Sequence, residues 1–196
     1  RLQGDWSSDV CSSDLDVSAI SRYCREREIL FIVDEAHGSH FPFFEKEISS
    51  ALVQGADLVI HSLHKYVGSL VQTALIHIPE DSILTEEQIL DGLALFENTT
   101  RSNILILSIE EAIKRALTDE GKLLFLKAAQ NCQKLRHLLD RFGTTLRHDA
   151  RVRDPLKLFL YSDRATGAEI ADLLVKGGVD YERSEEHTSE LQSPCN

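Results

Sequence analysis

Two stretches decide the fold, ILFIVDEAHG at 29–38 and DLVIHSLHK at 57–65. Each is a continuous apolar run that stops abruptly at polar and titratable residues. Ile29–Val33 ends at Asp34, and Asp57–Ile60 runs into His61, Ser62, Leu63, His64 and Lys65. A short run that is apolar at every position suits a strand covered on both faces, as in a parallel sheet. A helix is expected before each strand. Val17, Ile20, Tyr23 and Cys24 fall at helical spacing within 17–28, and Ile48–Gln54 reads as a short helix stopped by Gly55. Helix and strand in alternation predict an α/β layered fold.

Outward from this centre, Val71–Ile78 reads as a third strand, rich in Val, Ile and Thr and closed by Pro79. A short turn containing Gly68 separates it from Lys65, so a hairpin-like neighbour is expected. Thr85, followed by Glu86, Glu87 and Gln88, has the form of a helix N-cap. Helices are expected over 86–97, 103–117 and 120–142. After Gly143 the pattern changes to short strands, clearest at Leu156–Tyr161, and an amphipathic helix at Gly167–Lys176. The expected organisation is a partial large domain over 16–142 and the start of a smaller α+β domain over 143–182.

The two ends read differently. Back-translated, Asp5–Leu15 (DWSSDVCSSDL) and Arg183–Ser193 (RSEEHTSELQS) are coded by DNA strands that are reverse complements of each other. That DNA resembles a sequencing-library adapter, so 1–15 and 183–196 are expected to be non-native read-through. The ends hold Arg1, Arg183 and six carboxylates, a net −4 of the chain's −11, which leaves −7 on 16–182. An acidic segment argues against nucleic acid or an anionic membrane as partner. No apolar run approaches the roughly eighteen residues of a membrane span, and a cytoplasmic location is the default expectation. Cys24 and Cys132 sit on expected helices with no second ligand at metal spacing, and read as buried thiols.

In open parallel sheets ligands sit beyond the carboxyl ends of the strands. The clusters Asp34-Glu35-Ala36-His37-Gly38 and His61-Ser62-Leu63-His64-Lys65 fall there. Taken singly, each residue has a plain reading: Asp34 as a turn cap, Lys65 and His64 as solvated side chains. In combination, a carboxylate at one strand end and a lysine at the next suit pyridoxal 5'-phosphate (PLP), which needs an anionic partner for its ring nitrogen and an amine for its aldehyde. Asp34 would hold the ring nitrogen protonated, Lys65 would form the imine, and Ser62 and His64 would donate to the phosphate. A rival reading takes VDEAH as the acidic motif of a DEAH-type ATPase, with Asp34 on magnesium and Glu35 positioning water. The chain contains no G-x-x-x-x-G-K-[ST] phosphate loop to support it.

VDEAHGSHF (33–41) and GADLVIHSLHKYVGSLVQTALIHI (55–78) closely resemble the PLP-attachment region of the bacterial Orn/Lys/Arg decarboxylases, of fold type I. The specific part is S-x-H-K-x-x-G-S-x-x-Q-T-A, Ser62 to Ala74. The resemblance continues through LFENTTRSNILILSIEEA and DPLKLFLYSDRATGAEIADLLVKGGV. It implies a fold type I large domain followed by the start of a small domain, and decarboxylation of lysine, ornithine or arginine to the amine. It further implies PLP held by Lys65, with Asp34 at the ring nitrogen, Ser62 and His64 at the phosphate, and Ala36 and His37 near the ring or substrate. A homodimer is implied for the intact parent. The chain departs from the family at Thr99-Thr100-Arg101-Ser102, where Thr-Ser-Pro-Ser is common. The segment that supplies the family's phosphate-binding loop is missing, so the fragment is expected to be inactive. Other fold type I chemistry, an aminotransferase or lyase, uses the same Asp and Lys and stays open.

Overall fold

Ile32–Asp34 forms strand β1 and Leu58–Ser62 forms β2, paired in parallel with Asp34 opposite Ile60. The computed structural model describes residues 15–96, 102–142, 147–148, 154–181, 183–184 and 188–192. Thr99, Thr100 and Arg101 therefore lie outside the described residues, as does the head 1–14. The chain separates into two compact units, Arg1–Gly121 and Lys122–Asn196. The division falls in the first turn of the long fifth helix, whereas the sequence reading draws its boundary after 142.

In the first unit, α1 (Val17–Arg25) begins where the Asp16 carboxylate accepts the Ala19 N–H at 2.9 Å. Its Ser21 hydroxyl donates to Gly55 O at 2.7 Å, which ties the helix to the turn that enters β2. Asp57 fixes the start of the parallel pair. Its N–H donates to Phe31 O at 2.9 Å and its carboxylate accepts the Phe31 N–H at 2.9 Å. The strand β3 (Ala74–His77) is antiparallel to β2, giving the sheet order β1-β2-β3. Side chains alternate across a sheet, so Val33, Val59, His61, Leu75 and His77 share one face. Val59 packs there with Val17, Ala51 and Ala56 in a core cluster supported by Phe31, Val33 and Leu52. Asp34, Ile60, Ser62 and Ala74 point to the other face.

The helix expected over 48–54 is a series of turns instead. Ser50 and Ala51 spend their donors on the Glu35 carboxylate rather than on a helical ladder. The helix expected from 17 ends at Arg25, and Glu28 just beyond has a left-handed φ of 53°. The third strand is shorter than expected because Val71–Thr73 belongs to the turn. Cys24 is half-buried rather than buried.

Helix α2 (Leu63–Tyr66) is a single turn directly after β2, and α3 (Glu86–Ala94) opens with a capping box between Thr85 and Gln88. Helix α4 (Asn103–Leu117) matches its expected span, and α5 (Asp119–Phe142) begins one residue early. No described helix is long and apolar enough to cross a membrane.

In the second unit β5 (Lys157–Tyr161) pairs antiparallel with β4 (Arg147–His148), and Leu158 and Leu160 form its apolar centre with Leu139, Leu174 and Tyr181. Arg136 on α5 donates to Asp154 O and Lys157 O at 2.8 and 2.6 Å. Helix α6 (Gly167–Lys176) opens with a second capping box, Thr166 with Glu169. Hydrogen bonds donated by the Thr166 backbone N–H, at 2.8 Å, and by its hydroxyl, at 3.1 Å, hold the Glu169 carboxyl below its ordinary range.

Two further strands, β6 (Arg183–Ser184) and β7 (Thr188–Gln192), complete the order β4-β5-β7-β6. Both fall in the stretch expected to be read-through. An open edge such as that of β5 accepts any extended segment through main-chain hydrogen bonds, with little regard to its side chains. Deleting 183–196 is expected to leave β5 paired to β4 alone and to raise amide hydrogen exchange along Lys157–Tyr161. Unchanged protection there would show that β7 does not hold this edge.

Candidate functional site

Asp34 stands at the carboxyl end of β1, exposed, its Oδ1 accepting the Ala36 N–H at 3.1 Å. The chain then turns under β2: Glu35 N donates to Ile60 O at 3.0 Å and Ser62 N to Ala36 O at 3.2 Å. Gly38 is required in this turn, because a Cβ there would lie 2.3 Å from Glu35 Cγ. These bonds bring the two polar clusters together at one end of the parallel pair.

Lys65, on α2, is exposed, and its Nζ lies 2.9 Å from His37 Nε2. An ammonium can only donate, so His37 accepts through Nε2 and carries its ring proton on Nδ1 when Lys65 is charged. The edge of the His37 ring faces Tyr66. His64 Nδ1 donates to Thr73 O at 3.0 Å, which leaves Nε2 as the atom that could meet a ligand. With Nδ1 so engaged, Nε2 donates only from the doubly protonated ring. The Ser62 hydroxyl makes no capping bond to α2. The remaining residues of the Ser62–Ala74 string hold the turn. Gly68 takes a φ of 87°, the Ser69 and Thr73 hydroxyls bond each other, and Thr73 donates to Leu70 O at 2.8 Å. Gln72, with a φ of 75°, holds a left-handed conformation that costs a non-glycine residue free energy.

The structure thus gathers Asp34, Ala36, His37, Ser62, His64 and Lys65 at one strand end. It assigns Glu35 elsewhere. Glu35 is only 2% exposed; Oε1 accepts the Ala51 N–H at 2.9 Å, and Oε2 accepts the Ser50 hydroxyl at 2.5 Å and lies 2.8 Å from His61 Nε2. A carboxylate so engaged cannot position a water, which removes the role that the ATPase reading needs. The sequence reading missed this cluster. The available signal was the period of two, which puts Glu35 on the inward face with Val33, and His61 with Val59. His77 is the third member, its ring edge against His61 at 4.7 Å between centroids.

Burial, then His61, hold the His77 imidazole below its ordinary value of 6.5, with Glu35 opposing. Among the described residues no group of three His, Cys, Asp or Glu could hold a metal ion. A cavity of about 760 Å³ also exists in this unit, but its lining includes none of Asp34, His37, His64 and Lys65.

A mixed sheet flanked by helices, with a carboxylate at the end of one strand of a parallel pair and a lysine on the helical turn that follows the other, defines an α/β protein. The structure of the E. coli constitutive lysine decarboxylase matches with a TM-score of 0.59 and 17% identity, over 71% of this chain and 26% of that one. The family model described as Orn/Lys/Arg decarboxylase, major domain, matches residues 14–161, and the chain belongs to that family. An arginine decarboxylase of Bacillus anthracis is 31% identical over 125 residues, 64% of this chain and 25% of the relative. One from Bacillus subtilis is 31% identical over 108 residues, 55% of this chain and 22% of the relative. The uncharacterized protein YaaO of Bacillus subtilis is 25% identical over 189 residues, 91% of this chain and 38% of YaaO. The chain spans about a quarter of the length of the arginine decarboxylases it matches.

Two outcomes follow for the buried cluster. Glu35→Ala strands the Ser50 hydroxyl, the Ala51 N–H and His61 in the interior, and is expected to cost about 3 kcal/mol in urea unfolding. A loss below about 1 kcal/mol would mean that water replaces the carboxylate. For His77, the folded state binds fewer protons than the unfolded state between the lowered value and 6.5. Its contribution is therefore complete above 6.5 and is lost as pH falls through the lowered value. His77→Phe is expected to flatten the decline in urea midpoint below pH 6.5; an unchanged decline would assign it to other groups.

Proposed function

We propose that the protein from which this chain derives is a PLP-dependent decarboxylase of basic amino acids. The observation that carries this reading is the meeting of Lys65 Nζ and His37 Nε2 at 2.9 Å beside Asp34, inside the segment that matches the decarboxylase family. The residues present fit the cofactor. Lys65 would hold it through its aldehyde, Asp34 would hold a proton on the ring nitrogen, and Ser62 and His64 would bind the phosphate, with Ala36 against the ring. Bound PLP supplies an electron sink for the pair released when the bond from the α-carbon to the carboxylate breaks. His37 accepts the proton that Lys65 must lose before its amine can act as a nucleophile, and can return it to the same nitrogen.

The substrate class is read from the relatives. Those named as arginine decarboxylases make arginine the first substrate to test, before lysine and ornithine. The product is the amine and CO2. A homodimer, a cytoplasmic location and an inactive 196-residue fragment complete the proposal. Residues 16–142 would be the partial large domain, 143–182 the start of the small one, and 1–15 and 183–196 adapter-derived.

The test starts from the full open reading frame. The expressed protein is expected to absorb visible light, to have the cofactor fixed onto Lys65 by borohydride, and to release CO2 from arginine. Lys65→Ala is expected to abolish all three, and Asp34→Asn to lower CO2 release by at least about a hundredfold while leaving the absorbance. No absorbance would overturn the cofactor assignment. Absorbance without CO2 from any of the three amino acids would favour an aminotransferase or lyase.

A further inference from the structure

Thr73 is buried, and its carbonyl oxygen accepts two hydrogen bonds, from the Leu63 N–H at 3.1 Å and from His64 Nδ1 at 3.0 Å. A carbonyl oxygen can only accept, so Nδ1 carries a proton whatever the charge of the ring. The turn that places this oxygen is fixed by its own geometry, with Gly68 at a φ of 87° and the Thr73 hydroxyl bonded to Ser69 and to Leu70 O. Backbone geometry therefore chooses the tautomer of His64. A neutral ring then offers only a lone pair at Nε2, and the imidazolium alone has a donor there.

This decides how His64 meets an anion. A neutral Nε2 and a phosphate dianion turn lone pairs toward each other and repel, whereas one proton between them makes a charge-assisted hydrogen bond. Phosphate monoesters give up their last proton at about pH 6 and free imidazole at about 6.5, so the proton of such a pair sits on nitrogen. Helix α2 packs on β3. The titratable groups of the elements around it are Lys65 on α2, Asp34, Glu35 and His37 after β1, His61 on β2 and His77 on β3. Glu35, His61 and His77 are engaged with one another on the far face of the sheet, and Lys65 meets His37. Of the residues gathered at the strand end, Asp34 is the only carboxylate.

We propose that His64 binds the cofactor phosphate only as an imidazolium, so that cofactor loading takes up one proton from solvent at Nε2 and weakens as pH rises. Thr73 is the positioning residue, acting through its carbonyl. This rests on the PLP reading and makes pH a regulator of cofactor loading at that site. Ser62, a hydroxyl donor at any pH, contributes no such dependence.

Two measurements test it. In the isotope-labelled 196-residue chain, long-range proton–nitrogen correlations in NMR read the His64 tautomer directly in mild alkali. A protonated Nδ1 and a bare Nε2 are expected; a proton on Nε2 instead overturns the proposal. The second measurement uses cofactor-free protein expressed from the full open reading frame, with pyridoxine 5'-phosphate and pyridoxine as probes. Neither has an aldehyde, so imine formation at Lys65 does not enter, and the ratio of their affinities isolates the phosphate. The ratio is expected to fall about tenfold between about pH 7.5 and about 8.5, the effect of one linked proton. His64→Gln, whose amide donates without titrating, is expected to hold the ratio within about twofold over the same interval. A flat ratio in the unsubstituted protein, or the same decline in His64→Gln, overturns the proposal; the tautomer and the unsubstituted ratio do not depend on the folding of a variant. Borohydride fixation on Lys65 is run beside them. Fixation with a flat ratio overturns the proton uptake alone, and no fixation overturns the cofactor reading and the proton uptake with it.

Discussion

A buried carboxylate needs hydrogen-bond donors on all sides, and in this chain Glu35 obtains three of them from two separate stretches of sequence. Ser50 and Ala51 come from the turn before β2, His61 from β2 itself, and the Glu35 main chain donates to Ile60. Each partner would cost free energy if left unmet in the interior. The carboxylate therefore fixes where the segment 36–40 leaves β1 relative to the end of β2. That relation sets the distance between Asp34 and the helical turn that bears Lys65.

The sheet has two faces with separate roles. On one, Val59, His61, Leu75 and His77 meet the apolar cluster, the buried Glu35 and the cavity. On the other, Asp34 and Ser62 stand at the strand ends, with Lys65 and His37 in contact just beyond. The Ser62–Ala74 string divides in the same manner. Ser62, His64 and Lys65 present polar atoms at the strand end, while Gly68, Ser69 and Thr73 shape the turn that returns the chain as β3. A motif of this kind is specific because chemistry and backbone geometry constrain it together.

Much of the architecture was legible because its signals are local. The span of α4 follows from its apolar period, and so does that of α6, whose start a capping box between Thr166 and Glu169 also marks. The parallel pair follows from two apolar runs that end in charge. Where expectation and structure part, a distant group is responsible. Residues 48–54 have helical character by themselves, yet Glu35, at least fifteen positions away, takes the donors at Ser50 and Ala51. The pairing of β7 with β5 is the converse case, since an open strand edge recruits an extended segment whatever its side chains.

By itself the sequence determined the α/β alternation and the family, and it singled out Asp34, His37, Ser62, His64 and Lys65 as the residues to propose for the site, since each of these rests on residue type and spacing along the chain. The tertiary structure alone decided that His37, rather than another group, touches Lys65, and that Glu35 is a buried anchor. It also decided that His61 and His77 share a wall with a cavity. These facts depend on which residues three strands and a turn bring within about 3 Å of one another, a distance that hydrogen bonding requires and spacing along a chain does not encode.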